Sequence, residues 1–158
     1  AQELIKKPTE VTFFPQNNLR VVQVSCSKGE KHCHTMCVCD DGNAYAWGDQ
    51  YKASWALFLM VGLEPRSEEN ASLTKAIIGL PAGTTVKKVM SGGIHSALLT
   101  TDGQLYTWGC GSDGRLGHPE YEGYVYLYKE SRPKLVEAFA GRPVLDVESG
   151  YYSMMCLV

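Results

Sequence analysis

HSALLTTDGQLYTWG, residues 95–109, decides how this chain folds, because HTMCVCDDGNAYAWG, residues 34–48, writes the same phrase earlier. Sliding the chain by 61 residues sets His34 on His95, Asp41-Gly42 on Asp102-Gly103 and Trp47-Gly48 on Trp108-Gly109. Between the anchors Ala44-Tyr45-Ala46 falls on Leu105-Tyr106-Thr107. Chance rarely keeps two dipeptides and a tyrosine at one offset. The phrase is an internal repeat.

Each copy is preceded by a valine-rich run, VVQVSC from Val21 and VKKVMSGG from Val86. A third run, VLDVESGYYSMMCLV, opens at Val144. Val144 and Val147 match Val86 and Val89, and Gly150 matches Gly92. The first and third runs follow a Pro-x-x-Val lead-in, at Pro8/Val11 and Pro133/Val136. The periods read as 8–74, 75–132 and an incomplete 133–158.

The repeat has β periodicity. Two short runs flank Asp102-Gly103, a strong hairpin signal, since Asp and Gly tolerate the positive φ of a tight turn. Helical patterning is weak, with a turn or two expected only at residues 54–63 and 73–78. Small strand-rich units at this period suggest propeller blades, each burying itself against its neighbours. The expected fold is all-β: about two complete β-propeller-type blades plus part of a third over residues 1–158. Closing a propeller takes about four blades or more. The chain is therefore expected to be part of a larger ring, or to complete one with other copies or chains.

With 158 residues, 44% hydrophobic and 20% charged, the composition is that of a globular domain. A net charge of −2 argues against nucleic acid as a partner. The most apolar run, WALFLMVGL at residues 55–63, is half a membrane span. The six cysteines come with no secretory signal, so an intracellular, thiol-reducing location, cytoplasm or nucleus, is expected.

Residues 86–118, VKKVMSGGIHSALLTTDGQLYTWGCGSDGRLGH, resemble the regulator of chromosome condensation repeat, whose family forms seven-bladed β-propellers. Five short motifs stand in the family's order: V-x-x-V, Gly-x-x-His-Ser, Asp-Gly, Tyr-x-Trp-Gly and Gly-x-Leu-Gly. The first copy departs by four extra residues in SKGEKHCH, and DQYKASWA replaces the glycine-rich turn. The resemblance implies a protein-binding scaffold without cofactor or catalytic residues, and alternatively a guanine-nucleotide exchange factor for a small GTPase. Exchange-factor members use acidic and histidine side chains on one face. Ile94 and Ser153 stand at two such positions here and speak against that reading.

Cys26, His32, Cys33, His34, Cys37 and Cys39 invite a metal reading. The repeat deflates it: Cys37 lies on Leu98 and Cys156, Cys39 on Thr100 and Val158, and Cys26 on Ser91 and Ser149. These are positions for small packable side chains. Only His32 and Cys33 have no counterpart, and a zinc-stabilised module is the remaining metal reading. No catalytic triad can be assembled from spacing. GCGSDGRLG, residues 109–117, lacks the Gly-Lys-Ser/Thr ending of a phosphate loop and reads as a blade turn.

Trp47-Gly48 and Trp108-Gly109 are expected as repeat anchors, with Asp41-Gly42 and Asp102-Gly103 at the hairpin tips. His34 and His95 read either as hydrogen-bonding rings between blades or as contacts to a partner. The segment HPEYEGYVYLYKESR, residues 118–132, fits the repeat poorly. Its Tyr121, Tyr124, Tyr126 and Tyr128, with Arg115 and His118 beside them, are candidate partner contacts, the alternative being an extra edge strand. Residues 55–73 begin apolar and end acidic, as a buried stretch followed by a solvated loop would.

Overall fold

The computed structural model describes residues 7–28, 34–48, 75–77, 79–119 and 129–158. They form three antiparallel sheets in chain order. The first runs β1 (Val21–Cys26), β2 (His34–Cys39), β3 (Ala44–Gly48) and β4 (Lys75–Ala76). The second repeats the order with β5 (Val86–Ser91), β6 (His95–Thr100), β7 (Leu105–Cys110) and β8 (Lys129–Leu135). The third pairs β9 (Asp146–Ser149) with β10 (Met154–Leu157). This is the expected all-β partial propeller. The first sheet takes its last strand, β4, from the start of the next sequence period at Lys75, and β8 of the second sheet straddles the boundary at 132/133.

The repeat holds at the level of single hydrogen bonds. His34 pairs with Gly48 and Thr35 with Trp47; His95 pairs with Gly109 and Ser96 with Trp108. At the hairpin tips, Gly42 N–H donates to Cys39 C=O and Gly103 N–H to Thr100 C=O. Only the glycines have positive φ, 79° and 85°; Asp41 and Asp102 do not. The tip is thus a three-residue loop with glycine in the left-handed position, rather than a turn with two left-handed residues. Asp41 accepts from Asn43 and from the Tyr45 hydroxyl, and Asp102 accepts from Thr100 Oγ1. The aspartates therefore serve as acceptors that brace the loop.

Each tip also holds the start of the next sheet. Val86 N–H donates to Gly42 C=O and Val144 N–H to Gly103 C=O, both at 2.9 Å. A Cβ on Gly103 would stand 2.5 Å from Pro143 Cβ, so glycine is required there twice over. The other ends of the first strands are joined too: Lys28 N–H donates to Gly92 C=O, and Gly93 N–H to Tyr151 C=O. Across the sheets, the Gln23 side-chain amide exchanges two hydrogen bonds with the Val89 backbone. At the matching place in the second sheet, Lys88 reaches Asp146 and Glu148 of the third.

Three apolar clusters lie on the sheet faces. Met36, Val38, Ala44, Ala46 and Ile77 of the first sheet and its exit meet Val86, Val89, Leu98, Tyr106 and Trp108. Ala97, Leu99, Leu105 and Val136 likewise meet Val144 and Val147, with Phe139, Met154 and Cys156 at the margin. On the far face of the first sheet, Phe14 covers Cys37 and Cys39, with Phe13, Tyr45 and Trp47 beside it.

Two sequence expectations change. Lys75–Ala76, inside the suggested helical stretch 73–78, is strand β4, because pairing with Ala46 and Tyr45 outweighs a weak local preference. The one α-helical turn among the described residues, α1 (Phe13–Gln16), falls where no helix was expected. Its purpose is visible in the packing: it folds Phe14 back over the first sheet. The suggested helix at 54–63 and the remainder of 55–73 lie outside the described residues.

Candidate interaction faces

Antiparallel pairing sorts the loops to two ends. The turns at Asp41-Gly42 and Asp102-Gly103 occupy one. Residues 27–28, 92–94, 111–118 and 150–153 occupy the other.

At this second end the chemistry-bearing candidates are packed inward. His34 is buried, and its Nε2 lies 3.0 Å from Ser96 Oγ in the second sheet. This is the bridge between blades that the repeat position allows. His95 occupies the same place one sheet on, but Met154 stands where Ser96 would have its counterpart, and it offers no hydroxyl. Neither ring nitrogen of His95 has a side-chain hydrogen-bond partner among the described residues. Burial, followed by the nearby Arg115 guanidinium, pushes its pKa down to about 4, and the Ser153 backbone opposes this only in part. His95 is therefore neutral at physiological pH. A Cβ on Gly92 would fall 2.2 Å from its ring, so this glycine makes the room.

Arg115 is not a free surface cation. Its side chain is 3% exposed, donating to Ser112 C=O at 2.7 Å and to Asp113 at 2.9 Å. Its guanidinium also lies 5.0 Å from the Tyr152 ring centroid. His118 is buried, with Nε2 2.9 Å from Thr107 Oγ1, and burial lowers its pKa. Thr107 in turn donates to Leu116 C=O, so these contacts fasten the 111–118 loop to β7.

Tyr121, Tyr124, Tyr126 and Tyr128 lie outside the described residues. Sequence reasoning passed over a second aromatic pair, Tyr151 and Tyr152, whose rings meet edge-on at 4.3 Å. Tyr152 is 62% exposed. The signal was present: the third period writes Gly-Tyr-Tyr-Ser where the second writes Gly-Gly-Ile-His.

The repeat anchors separate. Trp108 is fully buried between the first two sheets, whereas Trp47 is half-buried beside Phe14 at 5.7 Å. Gly109 has φ 103° and no room for a Cβ, which would press on His95 Cα; Gly48 has no positive φ.

Among the described residues no three His, Cys, Asp or Glu side chains gather as a metal site would require. His32 and Cys33 lie outside them. Cys37 is buried, and burial with the neighbouring Cys39 pushes its pKa up to about 12, so it is an inert packing thiol. Among the described residues, no helix is long and apolar enough to cross a membrane.

Comparison with known proteins agrees with this geometry. Models of the "Regulator of chromosome condensation (RCC1) repeat" match residues 102–157 and, in a second version, 86–115. The mouse E3 ubiquitin-protein ligase HERC2 is 34% identical over 87% of this chain, which spans 2% of that protein. The human regulator of chromosome condensation is 36% identical over 62% of this chain and 20% of its own length. The chain thus spans a small part of the relatives it matches. Among solved structures, human WBSCR16 superposes with a TM-score of 0.61 at 17% identity, covering 89% of this chain and 32% of that one. Yeast RCC1 (Prp20), solved with Kap60, gives 0.57 at 19% identity over 87% and 30%. The doubled phrase, the matched sheets and these likenesses together place the chain in the regulator of chromosome condensation repeat family.

Proposed function

We propose that this chain is a protein-binding scaffold segment without catalytic chemistry of its own, working in the cytoplasm or nucleus, and that the loop end carrying Tyr151 and Tyr152 is its partner face. The observation that carries this reading is the exposed Tyr152 ring resting on a buried, pinned Arg115. A large aromatic surface held in place loses little entropy when a partner covers it. The tyrosines expected as contacts fall in sequence between Pro119 and Lys129, and Lys129 pairs with Cys110 at the same end of the second sheet. The side faces of the outer sheets, with Val21 and Val24 on one and Met155 and Leu157 on the other, are exposed and suit contact with further blades.

The exchange-factor reading draws on relatives named as regulators, among them the X-linked retinitis pigmentosa GTPase regulator homolog of Caenorhabditis elegans, 29% identical over 72% of this chain and 10% of that protein. Against it stand the neutral, buried His95 and the apolar Ile94. A cross-linking capture from cell extract, with and without nucleotide-stripping chelator, separates the readings. The scaffold reading expects partners that are independent of stripping and reduced at least tenfold by Tyr152→Ala. A small GTPase captured only after stripping favours exchange. Partners indifferent to Tyr152→Ala and to a Tyr124/Tyr126 double alanine variant would remove the loop end as the binding face. A chelator-induced fall in melting temperature would instead favour the zinc module.

A further inference from the structure

Buried hydrogen-bonding groups are matched across the first interface between sheets and unmatched across the second. In the first, His34 Nε2 lies 3.0 Å from Ser96 Oγ. Beside it, Ser25 Oγ accepts from Ser91 N–H, and Ser91 Oγ donates to Ser25 C=O. One sheet on, the repeat sets Met154 in the place of Ser96 and Met90 in the place of Ser25. A thioether offers no donor and only a weak acceptor. Beside these methionines, among the described residues, His95 has no side-chain partner and the Ser149 hydroxyl has none either.

Arg115, at the same end, is incomplete too. Its Nε donates to Ser112 C=O and its Nη2 to Asp113, while Nη1 is buried with no acceptor among the described residues. The guanidinium lies near enough to His95 to act on its ring. A charged donor taken out of water without an acceptor is destabilising, and an ionised acceptor brought to it makes a strong hydrogen bond. The group is covered by a side chain with room to turn. Tyr152 is 62% exposed, and its ring centroid lies 5.0 Å from the guanidinium carbon.

We propose that Arg115 is a receptor for an acidic side chain of the partner protein, whose carboxylate displaces the Tyr152 ring and accepts from Nη1, with the His95 ring beside it. The inference rests on the loop end being the partner face and names the chemistry that this face receives. Asp113 already shows the pairing, since its carboxylate holds Nη2 at 2.9 Å from a left-handed backbone of φ 60°. With one amino group left, a single carboxylate is the match. A phosphate dianion would stand against Asp113. Depth selects the source: a glutamate carries its carboxylate on a slender stem that passes a displaced ring, whereas a chain terminus brings its own backbone with it.

The test titrates the isotopically labelled 158-residue chain with N-acetyl-glutamate N-methylamide, its glutamine counterpart and N-acetylglycine, at constant ionic strength. Saturable shifts are expected at the Arg115 guanidinium, the His95 ring and Tyr152 with the glutamate probe. The other two probes should bind at least tenfold more weakly. Arg115→Lys, which keeps the charge and loses the fork, should weaken the glutamate probe at least tenfold. Asp113→Asn, which suits the positive φ, should tighten it severalfold, because the guanidinium loses its built-in counter-ion. Shifts that never saturate, equal shifts from the glutamine probe, tighter binding of N-acetylglycine, or unchanged binding in Asp113→Asn would each overturn the proposal. The three-probe comparison in the parent chain decides the matter even where Arg115→Lys fails to fold. Partners captured through Tyr152 while no probe binds would leave the partner face standing and remove its acidic ligand.

Discussion

Val24, Val89 and Val147 hold one repeat position in three successive sheets, and their exposures are 58%, 0% and 1%. Sequence treats them as equals. The difference is that Val89 and Val147 have a sheet in front of them, and Val24, among the described residues, does not. Val21, Val86 and Val144 behave the same way. A residue's burial in this fold is set less by its own strand than by the preceding sheet. Stability should therefore be uneven, greatest between the first and second sheets and least at the outer faces.

The tryptophans test this most forcefully. Trp108→Ala removes a fully buried ring from a two-sided interface and should lower unfolding free energy by about 3–5 kcal/mol. Trp47 has the same place in its repeat, but among the described residues it is half-buried beside α1 alone, so Trp47→Ala should cost about 1–2 kcal/mol. Denaturant unfolding of both variants decides the matter. Equal losses would mean that the outer face is as closed as the inner one, and the comparison would fail.

Much of this architecture was legible before any coordinates. The hairpin tips, the Trp-Gly ends and the demotion of the cysteine cluster follow from aligning the copies, because the same contacts recur wherever the same residues do. What was not legible came from places where copies differ. The α1 turn belongs to no repeated phrase, so its role over Cys37 and Cys39 appears only in three dimensions. Arg115 looked like a surface contact because charge is usually solvated; its pairing with Asp113 is local, but its packing against Tyr152 depends on a loop from the third period. The same loop turned His95 from a candidate contact into a packed ring.

His34 and His95 sharpen the comparison through pH. His34 meets Ser96, whereas His95 meets no such hydroxyl and its folded-state pKa falls to about 4 against an ordinary 6.5. The unfolded chain therefore takes up a proton before the folded one does. The stability linked to this group is fully present above pH 6.5 and is lost as pH falls toward 4. Its size is about 3 kcal/mol at 1.36 kcal/mol per unit of pKa difference. Denaturation of the parent chain and of His95→Gln at pH 7, 5.5 and 4.5 should show the parent losing more stability across this window. Parallel curves would mean that His95 is hydrated and the second interface open.

The smallest effects return to the valines. Val→Thr preserves shape and exchanges a methyl group for a hydroxyl. At Val89 that hydroxyl enters an apolar cluster, and Val89→Thr should cost about 1–3 kcal/mol for a buried polar group left without a partner. At Val24 the same hydroxyl meets water, and Val24→Thr should change stability by about 0.5 kcal/mol or less. The ratio of the two matters more than either value, since the local strand preference largely cancels between them. Should a further blade cover the first sheet in an assembled ring, Val24→Thr would acquire a penalty near that of Val89→Thr there while staying neutral in the isolated chain. The same pair of variants, measured in both settings, thus reports whether the exposed face is a permanent surface or half of an interface.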